Sequence, residues 1–280
     1  MTIKITCVVN DVCRKDMDLK SEHGLSFWIE VVHGNVLFDT GQSAAVLSHN
    51  LKSLGLRPEN VDMLALSHAH YDHTGGLEEI LSKNNRFTLF VHPDIFTPRY
   101  SYRNGEYHSI GMALTRKAIS SKVDMNLCDI PCEIMPGFWT TGEIIERPEP
   151  MGSSAYHFVR TEKGWQPDPY RDDMSLVIKT DLGLVVVCGC CHAGMLNTLF
   201  HVKHNFQGPI VAVIGGVHLV SADDQQLAHV IEVLQTHFEN LTFYLNHCTG
   251  DKAFEQLAKA FGDRVKAFPA GATIEFPRRI

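Results

Sequence analysis

The sequence predicts an α/β layered fold in a single domain. Strands and helices alternate in both halves of the chain, and no internal repeat, charge block or low-complexity linker divides it. Its 280 residues, 44% hydrophobic and 20% charged, are enough to bury a large core.

The elements can be placed in order. Ile3 to Val9 is β-branched and alternating, and reads as a strand. Phe27 to Val32 and Val36 to Phe38 read as a hairpin around His33-Gly34-Asn35. Val46, Leu47, Leu51 and Leu54 recur at helical spacing, with Gly55 as the stop. Val61 to Leu66 is expected to be a buried strand running into SHAHYDHTGG (67–76). Leu77, Ile80 and Leu81 then line one face of a helix, and Phe87 to Val91 is a further strand. From about residue 93 to 172 the periodicity breaks down, and Tyr100, Tyr102, Tyr107, Phe138, Trp139, Tyr156, Trp165 and Tyr170 lie among prolines and glycines. Long irregular stretches in compact domains are often lids or binding loops, so 93–172 is expected to be an insertion. It forms either a lid over the site, with aromatics to stack a ligand, or a peripheral elaboration packed on the body. Regularity returns with strands Leu176 to Lys179 and Leu184 to Val187, turning at Asp181-Leu182-Gly183. A helix at Met195, Leu196, Leu199 and Phe200 follows, then a strand from Ile210 to Ile214. A helix at Leu227, Val230, Ile231, Leu234 and Phe238 leads to a strand from Leu241 to Leu245. The last elements are a helix at Phe254, Leu257, Ala258 and Phe261 and a strand near Ala272 to Phe276.

Composition narrows the function classes. Lys plus Arg is 25 against 32 for Asp plus Glu, a formal net charge of −7. Such a chain lacks the electrostatic footprint of a nucleic-acid binder. Leu182 to Cys191, the most apolar stretch, is about half of the ~20 residues a membrane span requires. No leader-like segment is visible in MTIKITCVVNDV, so a soluble, cytoplasmic protein with no membrane partner is expected. The 8 cysteines are scattered, as in a reducing compartment, and Cys128 and Cys132 lack the second pair a zinc knuckle needs.

The chemistry concentrates in His68-Ala69-His70-Tyr71-Asp72-His73, just beyond a buried strand. In an extended segment residues 68, 70 and 72 point to one side, so two imidazoles and a carboxylate converge. His73 lies on the other side and can serve a second ion, which Asp72 can also reach. Imidazole nitrogen and carboxylate oxygen suit zinc, and also manganese or iron. His192 in VVVCGCCHAG (185–194) and His247 in NHCTG (246–250) each follow an apolar strand and precede a helix, and are expected to complete the donor set. His218 also follows a strand, behind two glycines that suggest close backbone approach, and reads as substrate-facing rather than metal-bound. Asp39 in FDTG (38–41) either orients a ligand histidine from behind or is a turn residue. Cys190 reads as a soft ligand or a small buried hydrophobe. Asp172 and Asp173 could reach the metals or cap a turn. His23, His33, His49, His201, His204, His229 and His237 have no such context and read as ordinary polar residues.

SHAHYDHTGG with FDTG resembles the metallo-β-lactamase fold, whose signature is His-x-His-x-Asp-His after a strand. The resemblance implies an αββα sandwich with metals at one edge. EHGLSFWIE (22–30), FDTG, PDPYRDDMSL (167–176), GCCHAG (189–194), IGGVHL (214–219) and NHCTG occur in the order seen in one branch, from about residue 22 to 276. That branch is the family of 7,8-dihydropterin-6-methyl-4-(β-D-ribofuranosyl)-aminobenzene-5′-phosphate synthases and their relatives. The resemblance carries metal ligation to His68, His70, Asp72, His73 and His247. Many superfamily members have a Gly-His-Thr loop and then a Gly-Asp pair; here those positions read Arg171-Asp172-Asp173 and Gly189-Cys190. His192 is the substitute, and the site is expected to be less symmetric.

The resemblance further implies two divalent ions, zinc first, with manganese, iron or magnesium as alternatives. The expected activity is a transferase that moves a pterin methyl group with release of diphosphate, with Asp72 and His218 as catalytic residues. A metal-dependent hydrolase of a small phosphoester, cyclic ester or lactone is the alternative, and a non-catalytic binding or sensing protein the third reading; the intact His68, His70, Asp72 and His73 speak against the last. The expected partner is a small molecule bearing phosphate or diphosphate. A homo-oligomer is compatible, with 93–172 as the contact between subunits.

Overall fold

The computed structural model describes residues 2–32 and 34–278. In chain order the first elements are β1 (Thr2–Val9), β2 (Ser26–Val31), β3 (Gly34–Phe38), α1 (Ala44–Ser53), β4 (Met63–Ala65), α2 (Tyr71–Thr74), α3 (Leu77–Lys83) and β5 (Thr88–Val91). Next come β6 (Arg99–Arg103), β7 (Glu106–Ser109), α4 (Arg116–Ser120), β8 (Asp124–Leu127), β9 (Cys132–Met135), β10 (Phe138–Thr140), β11 (His157–Thr161) and β12 (Gly164–Pro167). The rest are β13 (Ser175–Lys179), β14 (Leu184–Cys188), α5 (Met195–Asn205), β15 (Ile210–Gly215), α6 (Asp224–His237), β16 (Thr242–Leu245), α7 (Asp251–Phe261), β17 (Val265–Ala267) and β18 (Thr273–Pro277).

Among the described residues these strands form two seven-stranded sheets, β18-β1-β2-β3-β4-β5-β8 and β17-β16-β15-β14-β13-β10-β9, and a four-stranded sheet, β12-β11-β6-β7. The large sheets pack face to face. Ile3, Ile5, Phe27, Ile29, Val36 and Phe38 of one meet Leu176, Ile178, Val185, Val187, Ala212 and Ile214 of the other. Alternate residues on the same strands face outward. Val177, Val186, Val213 and Phe243 pack under Leu196, Leu199, Val230, Leu234 and Leu257 of α5, α6 and α7. Trp28, Leu37, Leu64 and Leu89 pack under Leu47, Leu51, Leu77 and Ile80 of α1 and α3. The result is the expected αββα sandwich. Burial on both faces explains why these strands read as continuous apolar runs such as Leu184–Cys188. No helix of the described residues is long and apolar enough to cross a membrane.

Two parallel blocks decide where the site lies. β3 and β4 run parallel in the first sheet, and β14, β15 and β16 run parallel in the second. The segments that leave their C-terminal ends therefore gather on one edge of the sandwich. Close approach there depends on glycine. A Cβ on Gly75 would stand 1.9 Å from the Gln42 carbonyl oxygen, and one on Gly76 would stand 2.2 Å from that of Thr40. Backbone atoms cannot swing aside, so Gly75→Ala should cost about 3 kcal/mol, the upper range for overpacking. A urea-unfolding midpoint unchanged from the parent would refute this.

The structure departs from the sequence expectations in three places. The 93–172 segment is not irregular. β8 completes the first large sheet, β9 and β10 complete the second, and β6, β7, β11 and β12 make the small one. Mixed short strands with solvent on one face leave no clean period to read. Its aromatics are also largely committed to one another: Tyr107 stacks on Trp165 at 3.6 Å, and Tyr100 meets the same indole edge-on at 5.0 Å. Phe138 lies in the core, Trp139 packs on Phe206, and Tyr156 is exposed. Second, the β2–β3 hairpin turns one step earlier than expected, with Val31 paired to Gly34; His33 lies outside the described residues. Third, the segment 67–73 is extended only as far as His70, because Tyr71–Thr74 closes a helical turn with His70 as its N-cap.

Candidate metal centre

The donors sit on loops that follow parallel strands: Asp39 after β3, Ser67 to His73 after β4, Cys190 and His192 after β14, His218 after β15, and His247 after β16. Five groupings of potential donors result among the described residues, and two of them together take in His68, His70, Asp72 and His73. Ring nitrogens of His68, His70 and His192 lie within 4.8 Å of one another, and so do donor atoms of Asp72, His73 and His247. The helical turn at Tyr71 corrects the expectation of an extended strip. It swings Asp72 away from His68 and His70, whose third neighbour is His192 instead.

The first grouping has the hallmark of a cation site. The Nε2 atoms of His68, His70 and His192 are all buried and have no hydrogen-bond partner. An orphaned buried imidazole nitrogen costs free energy unless something accepts its lone pair. In His192 and His68 the opposite nitrogen is tied down. His192 Nδ1 donates to the Gly152 carbonyl oxygen at 2.8 Å, which leaves Nε2 with its lone pair free. His68 Nδ1 lies 2.8 Å from Ser67 Oγ, whose hydroxyl donates to Asp39 Oδ2 at 2.7 Å. Burial, first, and then the neighbouring imidazoles hold His68 and His192 well below the ordinary histidine value. His70 is lowered too, by burial, against the pull of Asp72. Neutral imidazoles are the form that binds metal. These residues fit a divalent cation.

The second grouping is backed by carboxylates. His73 Nδ1 lies 2.7 Å from Asp39 Oδ2, and His247 Nδ1 lies 2.7 Å from Asp11 Oδ2. Asp72 Oδ2 is 3.4 Å from His247 Nε2 and 3.5 Å from His73 Nε2. Burial alone would raise Asp72, yet the charge of His73 and the hydrogen bond and charge of His247 hold it well below the usual carboxylate range. Burial would likewise lower His247, but the sulfur of Cys248 together with Asp11 and Asp72 raises it well above the ordinary value. Cys190 Sγ stands 3.2 Å from His73 Nε2, and its sulfur groups with His68 and His73. It stands between the two groupings.

Asp39 does more than close a turn. Its Oδ1 accepts from the Ser67 amide at 2.7 Å, while Oδ2 serves both Ser67 Oγ and His73 Nδ1. One carboxylate thus orients a histidine in each grouping. Carboxylates behind metal-bound histidines typically contribute 10–100-fold in affinity, so Asp39→Asn should weaken binding by about that factor. Chelator competition on the purified variant measures this; an unchanged dissociation constant would assign Asp39 a purely structural role.

Asp172 and Asp173 resolve in the same way. Asp172 Oδ2 accepts from the Ala69 amide and Asp173 Oδ2 from the Ala193 amide, both at 2.8 Å. Neither is grouped with the donors; each braces a donor loop. His218 lies 4.3 Å from the His192 ring, on the wall of the cleft above the donors.

Sequence reasoning missed several residues. His23, read as ordinary, bonds Asp11 at 2.8 Å and reaches Asp72 Oδ2 at 3.4 Å, so it belongs to the centre. Nothing in its local sequence marks it, because Asp11, Asp72 and His247 come from distant strands. His157 lies 5.0 Å from the His70 ring and bonds the Tyr170 hydroxyl at 2.9 Å. Burial, followed by the charge of His218, lowers His157 to about 4. Cys248 was legible only as the neighbour of His247. His49, His201 and His229 bond elsewhere, to Asp18, Thr141 and Glu149.

A sandwich with paired imidazole and carboxylate donors at one edge defines a metal-dependent enzyme of the metallo-β-lactamase superfamily, whose family pattern matches residues 21–112. The 7,8-dihydropterin-6-methyl-4-(β-D-ribofuranosyl)-aminobenzene-5′-phosphate synthase of Methanocaldococcus jannaschii is 32% identical, over 98% of this chain and 97% of that protein. The chain belongs to the metallo-β-lactamase superfamily and, within it, to the family of that synthase. Among solved structures, Tm1679, described as a metal-dependent hydrolase of the β-lactamase superfamily, superposes with a TM-score of 0.83 at 25% identity, covering 97% of this chain and 98% of the other. The metallo-β-lactamase fold protein YhfI of Bacillus subtilis, at 14% identity and a TM-score of 0.59 over 97% of this chain and 99% of its own, shares the fold.

Proposed function

We propose that the chain is a zinc-dependent transferase that joins a pterin methyl diphosphate to a ribosylated aminobenzene phosphate and releases diphosphate. The observation that carries the metal chemistry is the set of three orphaned Nε2 atoms on His68, His70 and His192. The likeness to the synthase over nearly the full length of both chains supports the substrate class. His68, His70 and His192 would hold one ion, and Asp72, His73 and His247 the second. Such ions supply positive charge for a leaving diphosphate and lower the pKa of bound water.

The chain's own residues then have distinct tasks. The cleft above the donors is lined by His23, Tyr71, Arg103, His157, His218 and Cys248. Arg103, from the β6–β7 hairpin, provides permanent positive charge at its mouth and suits an anionic group. Asp72, held ionised at the floor, accepts a hydrogen bond from the attacking nucleophile and so holds it in line, while the departing diphosphate can take up the proton that is lost. His218 orients the substrate against the donors. β6, β7, β11 and β12 act as a lid that keeps water from the reacting carbon, with His157 as the lid residue over His70. Tyr170, stacked on His192 at 4.3 Å, stiffens the donor instead of offering a free face to a pterin.

A second reading, hydrolysis of a small phosphoester, cyclic ester or lactone, is favoured by the commitment of the small sheet's aromatics to one another. Phosphorus NMR of the zinc-loaded protein with pterin methyl diphosphate, with and without the arene phosphate, separates the two. Diphosphate released only with acceptor is the expected result. Release without acceptor, or free phosphate from the arene phosphate alone, would replace the transferase with a hydrolase.

A further inference from the structure

Beyond the six donors of that reading, a different set of side chains converges on the cleft wall. Sulfurs of Cys190 and Cys248 and a ring nitrogen of His218 lie within 4.8 Å of one another. We infer that Cys190, His218 and Cys248 form a separate, thiol-rich seat for a thiophilic divalent cation. The three residues come from the loops after β14, β15 and β16, so three parallel strands deliver one donor each.

The backbone around them is built for close approach. A Cβ on Gly216 would stand 2.7 Å from Cys248 Sγ and 2.5 Å from the Gly189 carbonyl oxygen, so only glycine lets the β14 and β16 loops close on this point. His218 is held at φ 43°, in the left-handed region, where a non-glycine residue is strained. Its Nδ1 is buried and has no hydrogen-bond partner. Cys190 is buried, whereas His218 and Cys248 are half-buried and open onto the cleft. The seat therefore has three protein donors and an open side facing substrate.

Charge and softness select the occupant. Metal–sulfur and metal–nitrogen bonds of about 2.3 and 2.1 Å match donors this close after small side-chain rotations. Coordinated as thiolates, the two sulfurs neutralise the dication. A cation here thus adds no net positive charge beside the histidine groupings. Thiolate donors favour zinc, cobalt or cadmium over magnesium or manganese. Cys190, 3.2 Å from His73 Nε2, is the link between this seat and the neighbouring one.

The inference shares with the proposed function the premise that the cleft binds cations, and the test separates the two. The metal-free full-length protein is titrated with Co2+ under reducing conditions, following the visible d–d bands and the near-ultraviolet thiolate-to-cobalt charge-transfer band. Expected is loss of the charge-transfer band in Cys248→Ser together with one Co2+ equivalent, as the seat falls to two protein donors, with retention of the histidine-centred d–d bands. His218→Gln, an independent donor, should lose the same equivalent, with far-ultraviolet circular dichroism showing both variants folded. A band undiminished in Cys248→Ser, or absent from the parent, overturns the seat while leaving the histidine centre standing. Loss of all Co2+ from a folded Cys248→Ser also overturns it, since the donors would then form one undivided site. A parent that binds no Co2+ overturns this seat and the metal-dependent reading together.

Discussion

Replacing His192 with alanine should lower turnover by about a thousandfold, because under the proposed function several kcal/mol of charge stabilisation would depend on the ion it helps to hold. His192 is the third donor of a group whose other members, His68 and His70, sit on one short loop of the opposite sheet. Its aim is fixed from three sides: the Gly152 carbonyl holds Nδ1 at 2.8 Å, Tyr170 stacks on its face, and Cys191 before it is held at φ 55°. A readout independent of substrate is the stabilisation conferred by zinc, about 4 kcal/mol when free metal exceeds the dissociation constant a thousandfold. In His192→Ala the contribution of the first ion to that shift should disappear. Equal zinc-induced shifts in parent and variant would show that His192 holds no metal.

Arg99→Ala should cost about 3–5 kcal/mol, the range for removing one partner of a buried ion group. Arg99 is 1% exposed on β6. Its guanidinium lies 2.7 Å from Asp94, 2.9 Å from Asp168 and 2.9 Å from Asp172. Removing it strands Asp168 and Asp172 in the interior, and Asp172 also holds the Ala69 amide between His68 and His70. The pH dependence follows from sign. Burial raises Asp168 to about 6 even with Arg99 pulling it down. Ionising a carboxylate whose folded value lies above its unfolded value of 3.8 lowers stability, so its contribution is full at low pH and is lost as pH rises towards 6. Without Arg99 the carboxylates have still more to gain from protonation. The deficit of Arg99→Ala should therefore be smaller at about pH 5 than at about pH 8. Urea unfolding at the two values checks this, and a deficit that grows on acidification would refute it.

The sandwich was legible because its strands are buried on both faces and its helices on one, and both habits leave a period in the sequence. Val46, Leu47, Leu51 and Leu54 marked α1, and Leu184 to Val187 marked β14, for that reason. The small sheet left no such trace, since its strands alternate between half-buried and exposed residues, as in Glu106–Ser109. Within the site, His68, His70, Asp72 and His73 announced themselves by crowding. His192, His218 and His247 were singled out one at a time, from their position after apolar strands. His23, Asp11 and His157 were not found, because their roles depend on contacts between residues far apart in sequence: Asp11 and His247 are 236 positions apart. Asp172 and Asp173 were seen but left between two roles, and only their hydrogen bonds to Ala69 and Ala193 decide the matter.

That adjacent pair has a mechanical consequence. Asp172 grips the His68–His70 loop of one sheet and Asp173 grips the His192 loop of the other, so the gap across the metal edge is spanned by one peptide unit, about 3.8 Å between consecutive Cα atoms. Across the core the sheets meet through interlocking side chains, which yield to a rotamer change. At this edge they are joined by covalent chain and buried hydrogen bonds, which do not. The spacing of the two donor loops is therefore set by the length of a peptide unit and not by the packing of side chains.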